Sequence, residues 1–89
     1  MRIVGEIEHE EYKITIFKMN TRFSLKVENT KFEQTYKLRQ IEKVQEVRQL
    51  VDRAFLENVT AVFAAMQENI TSAMTKKMKP EEEEFDEII

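Results

Sequence analysis

The stretch KITIFKMNTRFSLKVE, residues 13–28, decides the fold. Apolar and polar residues alternate with a period of two on both sides of Asn20 and Thr21, which is the pattern of a half-buried β-strand. Asn tolerates the left-handed backbone angles that a two-residue hairpin loop requires. The stretch therefore predicts two antiparallel strands joined by a tight turn at Asn20 and Thr21.

The tight turn also fixes how the two strands pair, since a slip of one residue would carry every side chain to the opposite face of the sheet. On the apolar face the predicted pairs are Ile14 with Val27, Ile16 with Leu25 and Lys18 with Phe23. On the other face they are Lys13 with Glu28, Thr15 with Lys26 and Phe17 with Ser24. The opposite charges of Lys13 and Glu28 agree with this register.

Two more strands are predicted on either side of this hairpin. Asn29 and Thr30 predict another two-residue turn, and the pairs that follow from it are Val27 with Phe32, Phe23 with Tyr36, Ser24 with Thr35, Lys26 with Glu33, Glu28 with Lys31 and Arg22 with Lys37. An earlier strand is predicted from Arg2 to Ile7, with Ile3 and Ile7 on one face and Gly5 at a bulge or a close backbone approach. The prediction is a four-stranded antiparallel meander in the order 1-2-3-4.

The chain after the sheet has the pattern of a helix. Residues 43–78 contain neither Gly nor Pro, and their apolar residues recur at helical spacing until Pro80 ends the pattern. No Ser, Thr, Asp or Asn stands close enough before Val44 to serve as an N-cap. We predict an α+β fold in which one long C-terminal helix packs on the meander, with residues 1–79 forming a single domain. The predicted core comprises Ile14, Ile16, Phe23, Leu25, Val27, Phe32, Tyr36, Val47, Val51 and Phe55.

The length of this helix predicts an uncovered apolar stripe. A helix of about 36 residues is roughly 54 Å long, whereas strands of seven or eight residues span only about 25 Å. The distal half carries Val59, Val62, Phe63, Met66, Ile70 and Met74. A second copy of the chain, a foreign protein, or a break between Asn69 and Ser72 that folds the helix back would cover them. We expect the second copy, because soluble chains commonly form symmetric homo-oligomers.

The charge of the chain is concentrated at its C-terminal end. The formal net charge is −3, but residues 80–89 contain acidic side chains and no basic ones, so that the rest of the chain is mildly basic. Four consecutive Glu residues repel one another, which predicts a disordered, solvated tail. Three apolar residues close the chain, Phe85, Ile88 and Ile89, and they suggest instead a peptide that docks into a hydrophobic groove with a basic rim.

The composition offers little for catalysis. The chain has no Cys, one Gly and one His, so that thiolate metal sites, Gly-rich phosphate loops and Ser-His-Asp sets are excluded. The single histidine, His9, stands among carboxylates in a predicted turn, with a spacing that matches no ordinary metal-ligand motif. We expect no enzyme, no cofactor and no metal. Polar residues within the helix argue against a membrane span, and we expect a cytoplasmic protein.

The sheet face opposite the helix is the second candidate surface. Its cations and exposed aromatic ring are Lys13, Phe17, Arg22, Lys26, Lys37 and Arg39. Rings that stack on bases and cations that meet phosphates are what single-stranded nucleic acid recognition uses, while an ordinary solvated sheet face carries such residues as well. The plan of four strands and a helix that dimerises resembles, in topology alone, the PUR and Whirly classes of single-strand-binding protein; none of their motifs is present, and the resemblance assigns a role to no residue.

The sequence thus predicts a non-enzymatic protein-interaction or scaffold module. We expect a homodimer that forms through the distal half of the long helix. An unknown protein is the second candidate partner. The alternative is a single-stranded nucleic-acid-binding module that uses the outer sheet face. Salt separates the two, because nucleic-acid binding weakens steeply with ionic strength and apolar helix pairing does not.

Overall fold

The computed structural model describes residues 1–77 and contains a four-stranded sheet followed by helices. The elements are β1 (Arg2–Ile7), β2 (Lys13–Met19), β3 (Arg22–Glu28), β4 (Glu33–Leu38), α1 (Val44–Leu50) and α2 (Arg53–Lys77). The strands are antiparallel and lie in the order β1-β2-β3-β4, which confirms the predicted meander and long C-terminal helix. The predicted acidic tail, residues 80–89, lies outside the described residues, as do its proposed docking residues Phe85, Ile88 and Ile89.

The first hairpin has the predicted turn and register. Asn20 has a φ of 56°, which is the left-handed conformation that Asn adopts more readily than most residues. Met19 pairs with Arg22 on either side of the turn, and every pair predicted between β2 and β3 is present. A two-residue loop is too short to permit another pairing of the strands, so that the turn alone sets the register of this hairpin.

The predicted register of the second hairpin is wrong by two residues. Asn29 does not form a tight turn; its Oδ1 accepts hydrogen bonds from the backbone N–H groups of Lys31 and Phe32 at 2.8 and 2.7 Å, and its own N–H donates to the carbonyl of Phe32 at 2.9 Å. These bonds close a wider loop, and β4 begins only at Glu33. The observed pairs are Phe23 with Leu38, Ser24 with Lys37, Leu25 with Tyr36, Lys26 with Thr35, Val27 with Gln34 and Glu28 with Glu33. A shift by two keeps each side chain on its predicted face.

Gly5 lies at both a bulge and a close approach, as predicted. The pairing of β1 with β2 shifts between Ile3 and Gly5, and a methyl group at Gly5 would lie 2.9 Å from Nη2 of Arg48. The Arg48 side chain donates through Nη1 to the carbonyl of Glu6 at 3.1 Å and so ties α1 to β1. Because the bulge inserts one residue, Ile3 pairs with Phe17 on one face and Ile7 lies on the other, and the prediction that they share a face is wrong.

The predicted single helix is divided into α1 and α2 at Val51 and Asp52. Asp52 caps α2, since its Oδ1 accepts a hydrogen bond from the N–H of Phe55 at 2.9 Å. Val51 has φ and ψ of −90° and 80°, which are not helical angles. From Arg53 the helix is continuous to Lys77, so that the alternative of a break between Asn69 and Ser72 is wrong.

The start of α1 is capped by a carboxylate from within the helix. Glu46 Oε1 accepts hydrogen bonds from the backbone N–H groups of Glu42 and Lys43 at 2.9 and 3.0 Å. The two backbone donors stabilise the ionised carboxylate and lower the pKa of Glu46 from its usual 4.5. The capping residue therefore follows the helix start, where a search for Ser, Thr, Asp or Asn before Val44 does not find it.

The core lies on one face of the sheet. Its buried apolar residues within residues 1–59 are Ile14, Ile16, Phe23, Leu25, Val27, Val47 and Val59, six of which were in the predicted core. The other predicted members, Phe32, Tyr36, Val51 and Phe55, are half-buried, and the rings of Tyr36 and Phe55 meet edge to face at 5.4 Å. Residues 1–59 form one compact unit, and residues 60–77 belong to another.

Candidate functional site

The outer face of the sheet, opposite the core, carries a row of four side chains that crosses all four strands. Ile3 of β1 pairs with Phe17 of β2, Phe17 pairs with Ser24 of β3, and Ser24 pairs with Lys37 of β4. Neighbouring strands are about 4.8 Å apart, so that the row spans roughly 14 Å. It runs from an aliphatic side chain through an aromatic ring and a hydroxyl group to an ammonium group.

A groove of about 400 Å³ lies beside this row, towards the Asn20 turn, and we call it the outer-face groove. Its main lining side chains are Met1, Phe17, Met19, Arg22, Ser24 and Lys37. Met1 and Met19 are 76% and 49% exposed, and Ile3 beside the groove is 57% exposed. At the groove, the side formed by β1 and β2 is therefore apolar, while the side formed by β3 and β4 presents cations and a hydroxyl group.

The two cations of the groove are free of carboxylate partners within residues 1–77. No acidic residue is among the described residues that line the groove, and the ion pairs between described residues involve neither Arg22 nor Lys37. Both side chains are exposed. They can therefore offer their N–H donors to an anion without first breaking an internal ion pair.

Lys26 differs from these two cations although the sequence places it on the same face. Its Nζ lies 3.4 Å from Glu33 and 3.7 Å from Glu28, and 5.7 Å from the centroid of the Phe17 ring. Because its ammonium group pairs with two carboxylates, Lys26 is not available to an external anion. The same group makes a cation–π contact with the Phe17 ring. The predicted contact between Lys26 and Glu33 is present, although the two residues are diagonal neighbours and not a direct pair.

The remaining predicted cations lie elsewhere. Lys13 is at the other end of β2, opposite Glu28, and lines a different cavity at the β1–β2 turn. Arg39 follows β4 and does not line the groove. Of the predicted anion-binding residues, the structure brings together Phe17, Arg22 and Lys37. Sequence reasoning missed Met1 and Ile3. Gly5 is the residue that could have indicated them, because a bulge there turns the preceding residues to the outer face.

The cavity at the β1–β2 turn has a structural explanation. It has a volume of about 590 Å³ and includes Glu8, His9 and Glu10 among its lining residues. His9 accepts a hydrogen bond at Nδ1 from the backbone N–H of Glu11 at 3.1 Å, and its ring stacks on Tyr12 at 5.3 Å. Within residues 1–77 no group of three or more His, Cys, Asp or Glu side chains is arranged to hold a metal ion. His9 therefore makes its contacts within the turn itself.

Helix α2 carries the other predicted surface, and its residues differ in exposure. Val59 and Phe63 are buried, at 1% and 5% exposure, and cannot contribute a free surface. Met66 is half-buried, whereas Val62, Ile70 and Met74 are 37%, 47% and 53% exposed. We call Val62, Met66, Ile70 and Met74 the α2 ridge. Its residues are spaced by four and so lie in one row along the helix.

Comparison of the chain with protein-family models, with curated proteins and with solved structures finds no match. Among the helices of residues 1–77, none combines the length and the apolar character that a membrane span needs. The candidate sites are therefore defined by the chemistry of their own side chains.

Proposed function

We propose that this protein is a non-enzymatic interaction module that forms a homodimer through the α2 ridge. The observation that supports the proposal is the change in exposure along one face of one continuous helix. Val59 and Phe63 are buried, Met66 is half-buried, and Ile70 and Met74 are about half exposed. The apolar face thus continues as an exposed row beyond its buried members, as expected of a surface that a partner covers.

The ridge is suited to pairing with a copy of itself. Rows of residues spaced by four interdigitate when two helices cross at about −50°, the commonest class of helix packing in globular proteins. An antiparallel crossing centred on Glu68 sets Val62 against Met74 of the second copy and Met66 against Ile70. Every ridge residue then meets another apolar residue, which is the self-complementarity that a two-fold interface requires.

The charges at the helix ends favour the antiparallel arrangement. Lys76 and Lys77 end α2, and a parallel pair would bring these cations from both copies together. The start of the helix carries Glu57 in an ion pair with Arg53 at 3.7 Å. An antiparallel pair separates the two lysine ends, so that mutual repulsion does not oppose association.

The energetics indicate a weak dimer. Full burial of an aliphatic side chain stabilises by about 1.5–3 kcal/mol, and Val62, Ile70 and Met74 are only partly exposed. With about half of that value recovered for each, and two copies contributing, association gains roughly 4–9 kcal/mol from these side chains. Loss of translational and rotational freedom costs about 4–15 kcal/mol. Since the gain exceeds the cost by about 5 kcal/mol at most, we expect a dissociation constant of roughly 0.2 mM. The chain contains no Cys, which suits the reducing cytoplasm.

The test is sedimentation equilibrium of the full chain between about 20 μM and 2 mM, a range centred on a dissociation constant of roughly 0.2 mM. The average mass of the wild-type protein should rise from near the chain mass towards twice that mass. Replacing Ile70 and Met74 together with Glu should leave a monomer at every concentration, because four carboxylates would be buried at the crossing.

A matched control places the same charges on the other side of the helix. Ala64→Glu with Thr75→Glu changes two exposed residues that lie away from the ridge and should dimerise like the wild type. Monomeric wild-type protein throughout the range, or equal dissociation of both double variants, would refute pairing through the ridge. Circular dichroism of each variant checks that α2 is intact.

A further inference from the structure

We propose that the outer-face groove binds single-stranded nucleic acid, with a base stacked on Phe17 and the adjoining phosphates held by Arg22 and Lys37. The groove lies wholly within residues 1–59, and the proposal does not depend on the α2 ridge. Its ligand is defined by three features of the face: the distribution of apolar and cationic side chains, the two cations that pair with no carboxylate within residues 1–77, and the size of the groove.

The distribution matches the two halves of a nucleotide. Phe17 and Met19 on β2 are the apolar side, and Arg22 on β3 and Lys37 on β4 are the cationic side. A base has apolar faces that stack on aromatic rings, while its phosphate carries a negative charge. A strand lying along the sheet can therefore place its bases over β2 and its phosphates over β3 and β4.

The groove also has the hydrogen-bond donors that a phosphate requires. The Arg22 guanidinium presents a planar fork of N–H groups, the Lys37 ammonium is a compact point charge, and Ser24 between them adds a hydroxyl group. No acidic residue is among the described residues that line the groove, so that none of these residues repels an anion. Lys26 differs from Arg22 and Lys37, since its ammonium group forms ion pairs with Glu28 and Glu33.

The dimensions favour a single strand over a duplex. A volume of about 400 Å³ is at the lower end of the range for small-ligand sites and accommodates one nucleotide. A ring can stack only on a base whose face is free, and duplex bases already stack on one another. An acidic, apolar peptide is the chemical rival, because its carboxylates and side chains would match the same two halves of the groove.

The test is fluorescence anisotropy of a labelled oligothymidylate of 12 nucleotides with the full-length protein, at 50 and 200 mM salt. Binding should be saturable, stronger than for a duplex of the same length, and weaker at the higher salt. Arg22→Ala with Lys37→Ala should reduce the slope of log K against log salt by about 1.4, because each phosphate that a cation neutralises on a single strand contributes about 0.7 to that slope. Phe17→Leu keeps the side chain apolar and should weaken binding by about 5-fold to 150-fold through loss of stacking.

The matched control is Lys13→Ala with Lys31→Ala, which removes the same charge from exposed positions that do not line the groove. This variant should retain most of the affinity and the wild-type salt slope. Three outcomes overturn the proposal: no binding at 50 mM salt, equal loss in the control and groove variants, or equal affinity for the duplex. Binding of a synthetic peptide of residues 80–89 by a chain that does not bind the oligonucleotide would also overturn it, in favour of the peptide.

Discussion

The contact between Gly5 and Arg48 makes a sharp test of how α1 is attached to the sheet. A methyl group at Gly5 would lie 2.9 Å from Nη2 of Arg48, 3.7 Å from its Cζ and 3.4 Å from Cδ1 of Ile16. The guanidinium group, the far end of a flexible side chain, must therefore shift. We expect this shift to break its hydrogen bond from Nη1 to the Glu6 carbonyl, 3.1 Å long. Hydrogen bonds to charged groups contribute about 1.5–3 kcal/mol, and exposure of the Arg48 side chain places this one at the lower end.

The opposing effect of Gly5→Ala acts on the unfolded chain. Replacing Gly with Ala reduces the freedom of the unfolded state and stabilises by about 0.4–1 kcal/mol where the native backbone tolerates Ala. The backbone at Gly5 is not in the left-handed region, so that this gain applies. The two effects leave a net destabilisation of about 0.5–1 kcal/mol for Gly5→Ala in the wild-type chain.

A double-mutant cycle separates these effects. In an Arg48→Ala background the guanidinium group is absent, and Gly5→Ala should become neutral or stabilising, with a coupling energy of about 1–1.5 kcal/mol between the two positions. Urea unfolding followed by far-ultraviolet circular dichroism measures each corner of the cycle, with the m-value held constant as the check on two-state behaviour. The control is Arg53→Ala, since Arg53 pairs with Glu57 and should combine additively with Gly5→Ala. A coupling energy with Arg48 below about 0.3 kcal/mol, the usual limit of additivity, would refute the proposed clash.

The two helix caps make the remaining predictions. Asp52→Ala should destabilise the fold by about 1 kcal/mol and Asp52→Asn by less, because Asn keeps the cap to the Phe55 N–H; equal losses in urea unfolding would contradict a cap that acts through this hydrogen bond. Glu46 has a pKa below its usual 4.5 in the folded chain, so that its contribution is present above about pH 4.5 and is lost as the pH falls through the lower folded value. The stability difference between wild type and Glu46→Ala should be constant near neutral pH and shrink under acid, and a difference that persists at pH 2 would contradict the carboxylate cap.

Sequence reasoning predicted those features that depend on local geometry. The Asn20 turn has only two loop residues, and its backbone requirement and its register follow from the same short stretch. Asn29 has the same neighbour, Thr30, but its side chain forms hydrogen bonds to the N–H groups of Lys31 and Phe32. Side-chain bonding of this kind competes with a tight turn, and the residue type alone does not decide between them.

The outer-face groove could be predicted only in part, because two non-local effects assemble it. The bulge before Gly5 turns Ile3 towards Phe17, and the longer second loop moves Lys37 opposite Ser24. Each change shifts the pairing by one or two residues, and their combination decides which side chains share a row. The sequence showed which apolar and cationic side chains lie on the outer face. Which of them are neighbours depends on the pairing of β1 with β2 and of β3 with β4.

The two proposed surfaces differ in chemistry and should therefore respond differently to salt concentration. The α2 ridge is purely apolar, and its association should change little between 50 and 200 mM salt, since burial of apolar surface does not depend on screening. The outer-face groove relies on Arg22 and Lys37, and its affinity for an anion should fall steeply over the same range. The overall charge of −3 opposes any polyanion at low salt, so that retained binding there would have to come from local contacts in the groove. A salt titration of dimer mass beside one of oligonucleotide binding therefore tests each surface independently of the other.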